Sequence, residues 1–263
     1  MPRRAPRVPA VLLLPAALGA VFFVVPLLGL VANAPWGLAI TELTAPETID
    51  ALRLSLVASV AATVLSIVIG VPLAWMYARV AFPGRDLLRA LTTLPMVLPP
   101  VVGGLALLLA FGRRGLFGGW LDHTFGITLP FTTAGVVLAE TFVSMPFLII
   151  TVEAGLRSID TRYEEAARTL GASPWVVFRR VTMPLVAPTL AAGAVLCWAR
   201  ALGEFGATIT FAGNFPGRTQ TTPLAVYLLL ETKPEASIVL SLVLLVVSLV
   251  VLVSLRHRWL GSV

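Results

Sequence analysis

The chain has 263 residues, 58% hydrophobic and only 12% charged, with a formal net charge of +6 and a mean hydropathy of +0.95. Soluble domains carry about 25% charged residues, so a water-soluble enzyme is excluded and a polytopic membrane protein is indicated. The positive charge is distributed by membrane side, with no cluster able to read a nucleic acid.

The one cysteine, Cys197, allows no disulfide within the chain, and His123 and His257 lack ligand partners at metal-binding spacing. Arg3, Arg4 and Arg7 precede an apolar run over 11–32 that contains Pro15 and Pro26. Ala32-Asn33-Ala34 has the form of a signal cleavage site, but a signal core has about 7 to 15 residues. The run is longer, so it is expected to stay as a first span. Residues 33–50 hold Glu42, Glu47 and Asp50 with no basic residue and are expected outside. A second span is expected over 54–78, bent near Gly70 and Pro72, where proline removes a backbone hydrogen bond. Arg79, Arg85 and Arg89 around the turn Pro83-Gly84 form a short basic loop, hence cytoplasmic. The third span, 93–111, is entered through Pro95, Pro99 and Pro100, which disfavour a straight helix, and Gly103 and Gly104 suit close helix packing. A glycine-rich outer loop over 112–130 leads to the fourth span, 131–152, with Glu140 at its middle and Pro146 as a kink.

Residues 157–182 break the apolar pattern. Arg162, Glu164, Glu165, Arg168, Arg179 and Arg180 would cost about 2.5 to 3.5 kcal/mol each inside a span, so this loop belongs in water. It is still helical by pattern: Tyr163, Ala166, Ala167 and Leu170 fall on one face, and something apolar should cover that stripe. Thr161 and Glu164 have capping-box spacing, Asp160 is a second candidate cap, and Gly171 suits the left-handed turn that ends a helix. Ser173 and Pro174 then start another as N-cap and first-turn residue. Two short helices at a glycine corner on one membrane face amount to a docking surface.

The fifth span, 185–211, contains Arg200 and Glu204, one turn apart and able to pair. Residues 213–234 lie outside, and the sixth span, 238–255, is about 27 Å long, followed by Arg256 and Arg258. Most Lys and Arg thus fall on one side, leaving Arg113, Arg114, Arg218 and Lys233 on the other, which places both termini in the cytoplasm. The phosphate-binding pattern G-x-x-x-x-G-K-[ST] is absent, so ATP is not bound by that route. Residues 1–263 read as a single transmembrane domain, and six spans enclose a gated path most economically as a dimer.

Glu165-Ala166-Ala167, three residues, Gly171, nine residues, then Val181-Thr182-Met183-Pro184 resembles the EAA loop of ABC importer permeases, with Val181 and Met183 at the family's usual Ile and Leu. The resemblance implies an all-α, type I importer permease-like fold in a bacterial cytoplasmic membrane. It further implies a coupling helix, with Glu165, Ala166, Ala167, Leu170 and Gly171, that docks in a separate ATPase subunit. That subunit uses the ATP; the chain would have no catalytic residue, no bound cofactor and no metal. Expected partners are a second copy, two ATPase subunits, an extracytoplasmic oxyanion-binding protein and lipid.

Trp198 to Ala207, Phe211 to Tyr227 and Leu98 to Gly104 are similar to the molybdate/tungstate branch, with the sulfate/thiosulfate permeases as the close alternative. Arg218, Thr219, Gln220 and Thr221, with Asn214, supply donors expected to line the outer mouth for a tetrahedral dianion. Arg200, Glu204, Gly206 and Thr208 are the gate and pathway candidates. Glu204 is expected to offset Arg200, because a lone positive charge midway would hold a dianion too tightly. A proton-coupled transporter using Glu140 or Glu204 would leave the amphipathic loop without a task, and a scaffold would leave the buried charges without one.

Overall fold

A computed structural model describes residues 10–259 and, among them, helices without strands. The basic residues Arg3, Arg4 and Arg7 lie outside the described residues, and so do the side chains of Arg256 and Arg258. Thirteen helices follow in order: α1 Ala10–Ala32, α2 Ala39–Leu43, α3 Pro46–Arg79, α4 Arg85–Thr93, α5 Pro100–Phe111, α6 Gly118–Phe125, α7 Thr133–Ser158, α8 Arg162–Thr169, α9 Pro174–Val177, α10 Met183–Leu202, α11 Gly206–Ala212, α12 Thr222–Thr232 and α13 Pro234–Trp259. Five helical runs are long and apolar enough to cross a membrane, or six if the bent pair made by α4 with its extension and α5 counts as one.

The bundle is built on α3, α7 and α10. Along α3 the buried positions are nearly all small: Ala51, Ser55, Ala58, Ser59, Ala62, Thr63, Ser66, Gly70 and Ala74. Their spacing of three and four places them on one stripe, which lets α7 approach closely where the surrounding solvent is as apolar as the helices. The largest apolar cluster joins Val71, Ala74 and Tyr77 to Leu148, Ile149, Val152 and Leu156 of α7, and to Val186 and Cys197 of α10. Cys197 is buried there and free, as its apolar setting indicates. At 34 residues, α3 is about 51 Å long at 1.5 Å per residue, well beyond the expected 54–78. Its extra turns start at Pro46, whose missing N–H costs nothing in the first turn.

Two expected spans are not single helices. In place of a helix over 93–111, α4 continues as a 3₁₀ turn, Leu94–Met96, and the chain then bends by 118° into α5. Pro95, Pro99 and Pro100 withhold three donors within six residues, and proline disfavours helical backbone in the residue before it. The remaining 12 residues of α5 give about 18 Å, too short for a bilayer core of about 30 Å. In place of a helix over 185–211, α10 stops at Leu202, and α11 starts after the non-helical Gly203-Glu204-Phe205. The other end of α10 runs further than expected: α9, a π-helical turn at Phe178–Thr182 and α10 form one continuous apolar run from Pro174 to Leu202. The widened turn lies just before Pro184, which cannot donate to the preceding turn.

The short helices α5 and α11 pack on each other and on α7, with Leu107, Ala139, Val143, Ala207 and Phe211 as their shared core. A Cβ added to Gly104 would lie 2.8 Å from the Ala207 carbonyl oxygen, and one added to Gly206 would lie 2.8 Å from Pro100 Cβ. Backbone meets backbone at both places, so only glycine fits. α12 and α13 form a hairpin beside α3. α1 stands apart, touching α13, with its whole spanning window exposed.

Candidate coupling and pathway sites

Buried charge gathers at two places. At the end of the bundle that carries α8, the carboxylates of Glu153 and Glu164 are almost fully buried. Glu153 Oε1 accepts from Arg157 Nε at 3.0 Å and pairs with Arg89 Nη2, also at 3.0 Å. Arg157 also donates to the Tyr77 carbonyl at 3.2 Å, and the Tyr77 hydroxyl meets Thr92 Oγ1 at 2.7 Å. One network thus ties the ends of α3, α4 and α7. Glu164 Oε1 accepts from Arg79 Nε and Nη2 at 3.3 and 3.2 Å and from Thr182 Oγ1 at 2.9 Å.

The α8 platform differs from the capping-box expectation. Thr161 has helical backbone angles and makes no side-chain cap, because Glu164 turns inward to Arg79 and cannot reach back. Asp160 Oδ1 takes over by accepting from the Arg162 N–H at 3.0 Å. Leu170 closes the helix, Gly171 adopts φ +85°, and Ser173 Oγ accepts from the Val176 N–H with Pro174 next in line. Those last three features agree with the sequence expectation. Glu165 and Ala166 are exposed, Ala167 is half-buried, and the stripe remains uncovered: Tyr163 is 61% exposed and Leu170 88%. Trp175 stacks on Phe178, which meets Trp75 of α3 edge-on, seating α9 against the bundle.

The second place lies at the α10–α11 break. Arg200 Nη2 and Glu204 Oε2 pair at 2.7 Å, with 1% of the glutamate side chain exposed. They do so across the helix end rather than along one helix as expected. Glu204 Oε1 accepts the Ala207 N–H at 2.8 Å, so the same carboxylate caps α11 and holds the arginine of α10. Gly206 sits under Pro100, and Thr208 is fully buried with its hydroxyl unpartnered among the described residues. Glu140, on α7, is 1% exposed, and one of its oxygens is likewise unpartnered.

The expected outer-mouth residues divide. Arg218 is exposed and lines a cavity of about 830 Å³ together with Arg113, Thr128, Thr132, Phe131 and Phe215. Asn214 is half-buried, and its Oδ1 has no partner among the described residues. Thr219, Gln220 and Thr221 are buried, Gln220 beside a smaller cavity lined also by Glu42, Glu47 and Pro216. Thr219 Oγ1 accepts the Phe215 N–H at 3.0 Å, closing its own turn. Thr222 donates its N–H to Ser55 Oγ at 2.6 Å and its hydroxyl to the Ala51 carbonyl at 3.2 Å. Thr222 thus lays α12 against α3, where each buried backbone group needs a partner, while the buried Thr221 hydroxyl is unpartnered among the described residues.

Sequence reasoning placed Arg79 and Glu164 in the loops but missed their pairing, and it missed Glu153 altogether. Arg157 four residues after Glu153 is a helix-pair signal that was there to read. Arg79 and Glu164 are 85 residues apart, and nothing local connects them.

Residues 66–262 match the family described as binding-protein-dependent transport system inner membrane component. The chain belongs to this family. It is 47% identical to the molybdenum transport system permease protein ModB of Mycobacterium tuberculosis (strain ATCC 25618 / H37Rv), over 93% of this chain and 92% of that protein. It is 39% identical to the sulfate transport system permease protein CysT of Escherichia coli (strain K12), over 86% of this chain and 81% of that one. In fold it is similar to a chain of a solved bacterial ABC transporter that imports alginate, with a TM-score of 0.73 at 20% identity, covering 95% of this chain and 93% of that chain. The chain is thus an inner-membrane permease subunit of the ABC importer type.

Proposed function

We propose that the chain forms, as a homodimer, the membrane path of an ATP-driven importer that carries molybdate or tungstate into the cytoplasm by alternating access. The observation that carries this reading is the α8 surface. A short helix outside the spans keeps Glu165, Ala166 and Leu170 uncovered while its other side is held down by a buried ion pair. An apolar stripe so exposed is complementary to the cleft of another protein. Two ATPase subunits, one per copy, would occupy it and consume the ATP. The α8 end with Arg79, Arg85, Arg89 and Arg157 would then face the cytoplasm, and both termini with it.

An extracytoplasmic oxyanion-binding protein would dock at the opposite end, where the 830 Å³ cavity opens between Arg113 and Arg218. Molybdate is favoured over sulfate by the 47% identity to a molybdenum permease, against 39% for a sulfate permease. Sulfate remains the second reading, because both ions are tetrahedral dianions and the arginine-lined mouth suits either.

Reconstitution in liposomes with the ATPase and binding subunits tests this directly. Labelled molybdate should accumulate only with ATP inside the compartment corresponding to the cytoplasm, unaffected by a proton uncoupler. A hundredfold excess of sulfate should leave uptake largely intact. Uptake abolished by the uncoupler while ATP persists would overturn the mechanism, and efficient competition by sulfate would overturn the substrate.

A further inference from the structure

One oxygen atom carries the polar link between α8 and the spans. Among the described residues, each side-chain hydrogen bond from α8 to another helix ends on Glu164 Oε1: two from Arg79, the last residue of α3, and one from Thr182, in the π-helical turn that opens α10. No α8 side chain enters an apolar cluster. The helix also lies against α9 and the π-helical turn, and two short connectors join it to the bundle, Ile159 to Thr161 before it and Leu170 to Ser173 after it, the second containing the left-handed Gly171. A helix hung on two short connectors can swing about the line between them. A third fixed point off that line removes the swing.

We infer that Glu164 is a positioning residue: its carboxylate conveys displacement of α8 to the inner ends of α3 and α10, and thereby to the α10–α11 break. The choice of a charged link supports this. An apolar pair would hold a helix down at least as well, whereas a buried carboxylate shared by a guanidinium and a hydroxyl fixes direction as well as distance. The side chains of Arg79 and Glu164 are 12% and 6% exposed, so neither water nor salt replaces the link readily. Glu165, the neighbouring acid, points away and is exposed. The two glutamates therefore divide the work, one toward the ATPase and one toward the spans.

This rests on the reading that α8 docks an ATPase, and the test separates the two. The full chain is purified with its ATPase subunits, reconstituted with the binding protein, and scored for ATPase recovered, ATP hydrolysed and molybdate taken up per ATP. Glu164→Ala and Arg79→Met should retain the ATPase and its hydrolysis while lowering uptake per ATP about tenfold or more, the scale of an orphaned buried charge. Thr182→Val, isosteric and losing one of the three bonds, should fall between. The double exchange Glu164→Arg with Arg79→Glu should recover much of the ratio, which a merely structural contact elsewhere on α8 would not explain. If Glu164→Ala does not insert, Thr182→Val decides alone. An unchanged ratio in Thr182→Val and Arg79→Met overturns the linkage, and so does loss of the ATPase from Glu164→Ala, which would make this residue part of the seat. If the wild-type chain recovers no ATPase, the docking reading fails and the linkage with it.

Discussion

Glu204 shows how one side chain can be read correctly in kind and incorrectly in setting. Its spacing from Arg200 indicated an ion pair, and the pair is there at 2.7 Å. What spacing did not reveal is that the helix ends between them and that the other carboxylate oxygen caps α11 through the Ala207 N–H. Glu204→Gln keeps an acceptor for that N–H but leaves Arg200 without its anion. The variant should lose about 3 kcal/mol, the lower end for breaking a buried pair because 29% of the arginine side chain remains exposed. Unfolding in a series of detergent mixtures measures this, and a variant as stable as wild type would mean the pair is redundant. Substrate-stimulated ATPase should fall as well, since the pair spans the break next to Thr208. If both stability and stimulation are untouched, the gating role assigned to Arg200 and Glu204 is wrong. Thr219 and Thr222 teach the complementary lesson. Hydroxyls and amides in an outer loop look like substrate donors, yet the same groups serve equally to satisfy backbone when a loop is buried.

At the scale of elements, the platform and the two broken segments matter most. Gly171 was legible because a φ of +85° admits glycine far more readily than any residue with a Cβ. Gly171→Val should cost about 1 to 2 kcal/mol locally and misalign α8 against α9. The expected outcome is an inserted permease whose ATPase runs without matching uptake, measured as uptake per ATP in liposomes. Normal coupling in that variant would count against a rigid platform. The α5–α11 crossing makes a separate demand. A side chain at Gly104 would meet Thr210 Cβ at 2.7 Å and the Ala207 carbonyl at 2.8 Å, so Gly104→Leu should destabilise by about 1 to 3 kcal/mol through overpacking. The same change at Gly84, where an added Cβ meets nothing within 4 Å, provides a control: there the cost is backbone strain at φ +81° and not packing. A larger loss of thermal stability in the Gly84 variant would contradict the close crossing.

Taken whole, the molecule has its polar network at one end and its arginine-lined cavity at the other, and the topology decides which end meets which partner. The single buried cysteine simplifies the measurement. In a Cys197→Ser background, Leu170→Cys should react with a membrane-impermeant maleimide only when the cytoplasmic face is opened. Leu116→Cys, 85% exposed near the opposite end, should react in intact spheroplasts. The reverse pattern would invert the topology and remove the coupling assignment. If the proposed homodimer forms, crosslinking of the purified permease should yield a dimer.

The presence of several apolar helices able to span a membrane, and a helix–Gly171–helix pattern between two of them, were legible in the sequence. They depend on the free energy of moving single residues between water and lipid, or on local backbone geometry, and both are encoded within a few turns of chain. Pro95, Pro99 and Pro100 already warned against a straight helix over 93–111. The tertiary structure alone decided that α5 packs on α11 through Gly104, that 185–211 is broken, that Glu164 rather than Glu165 faces inward, and that the Thr219–Thr222 run is buried. Each of those depends on a partner tens of residues away: Arg79 for Glu164, Ala207 for Gly104, Ser55 for Thr222. A buried charge or a freed backbone group is stable only where a distant element completes it, and that pairing exists only once the helices have packed.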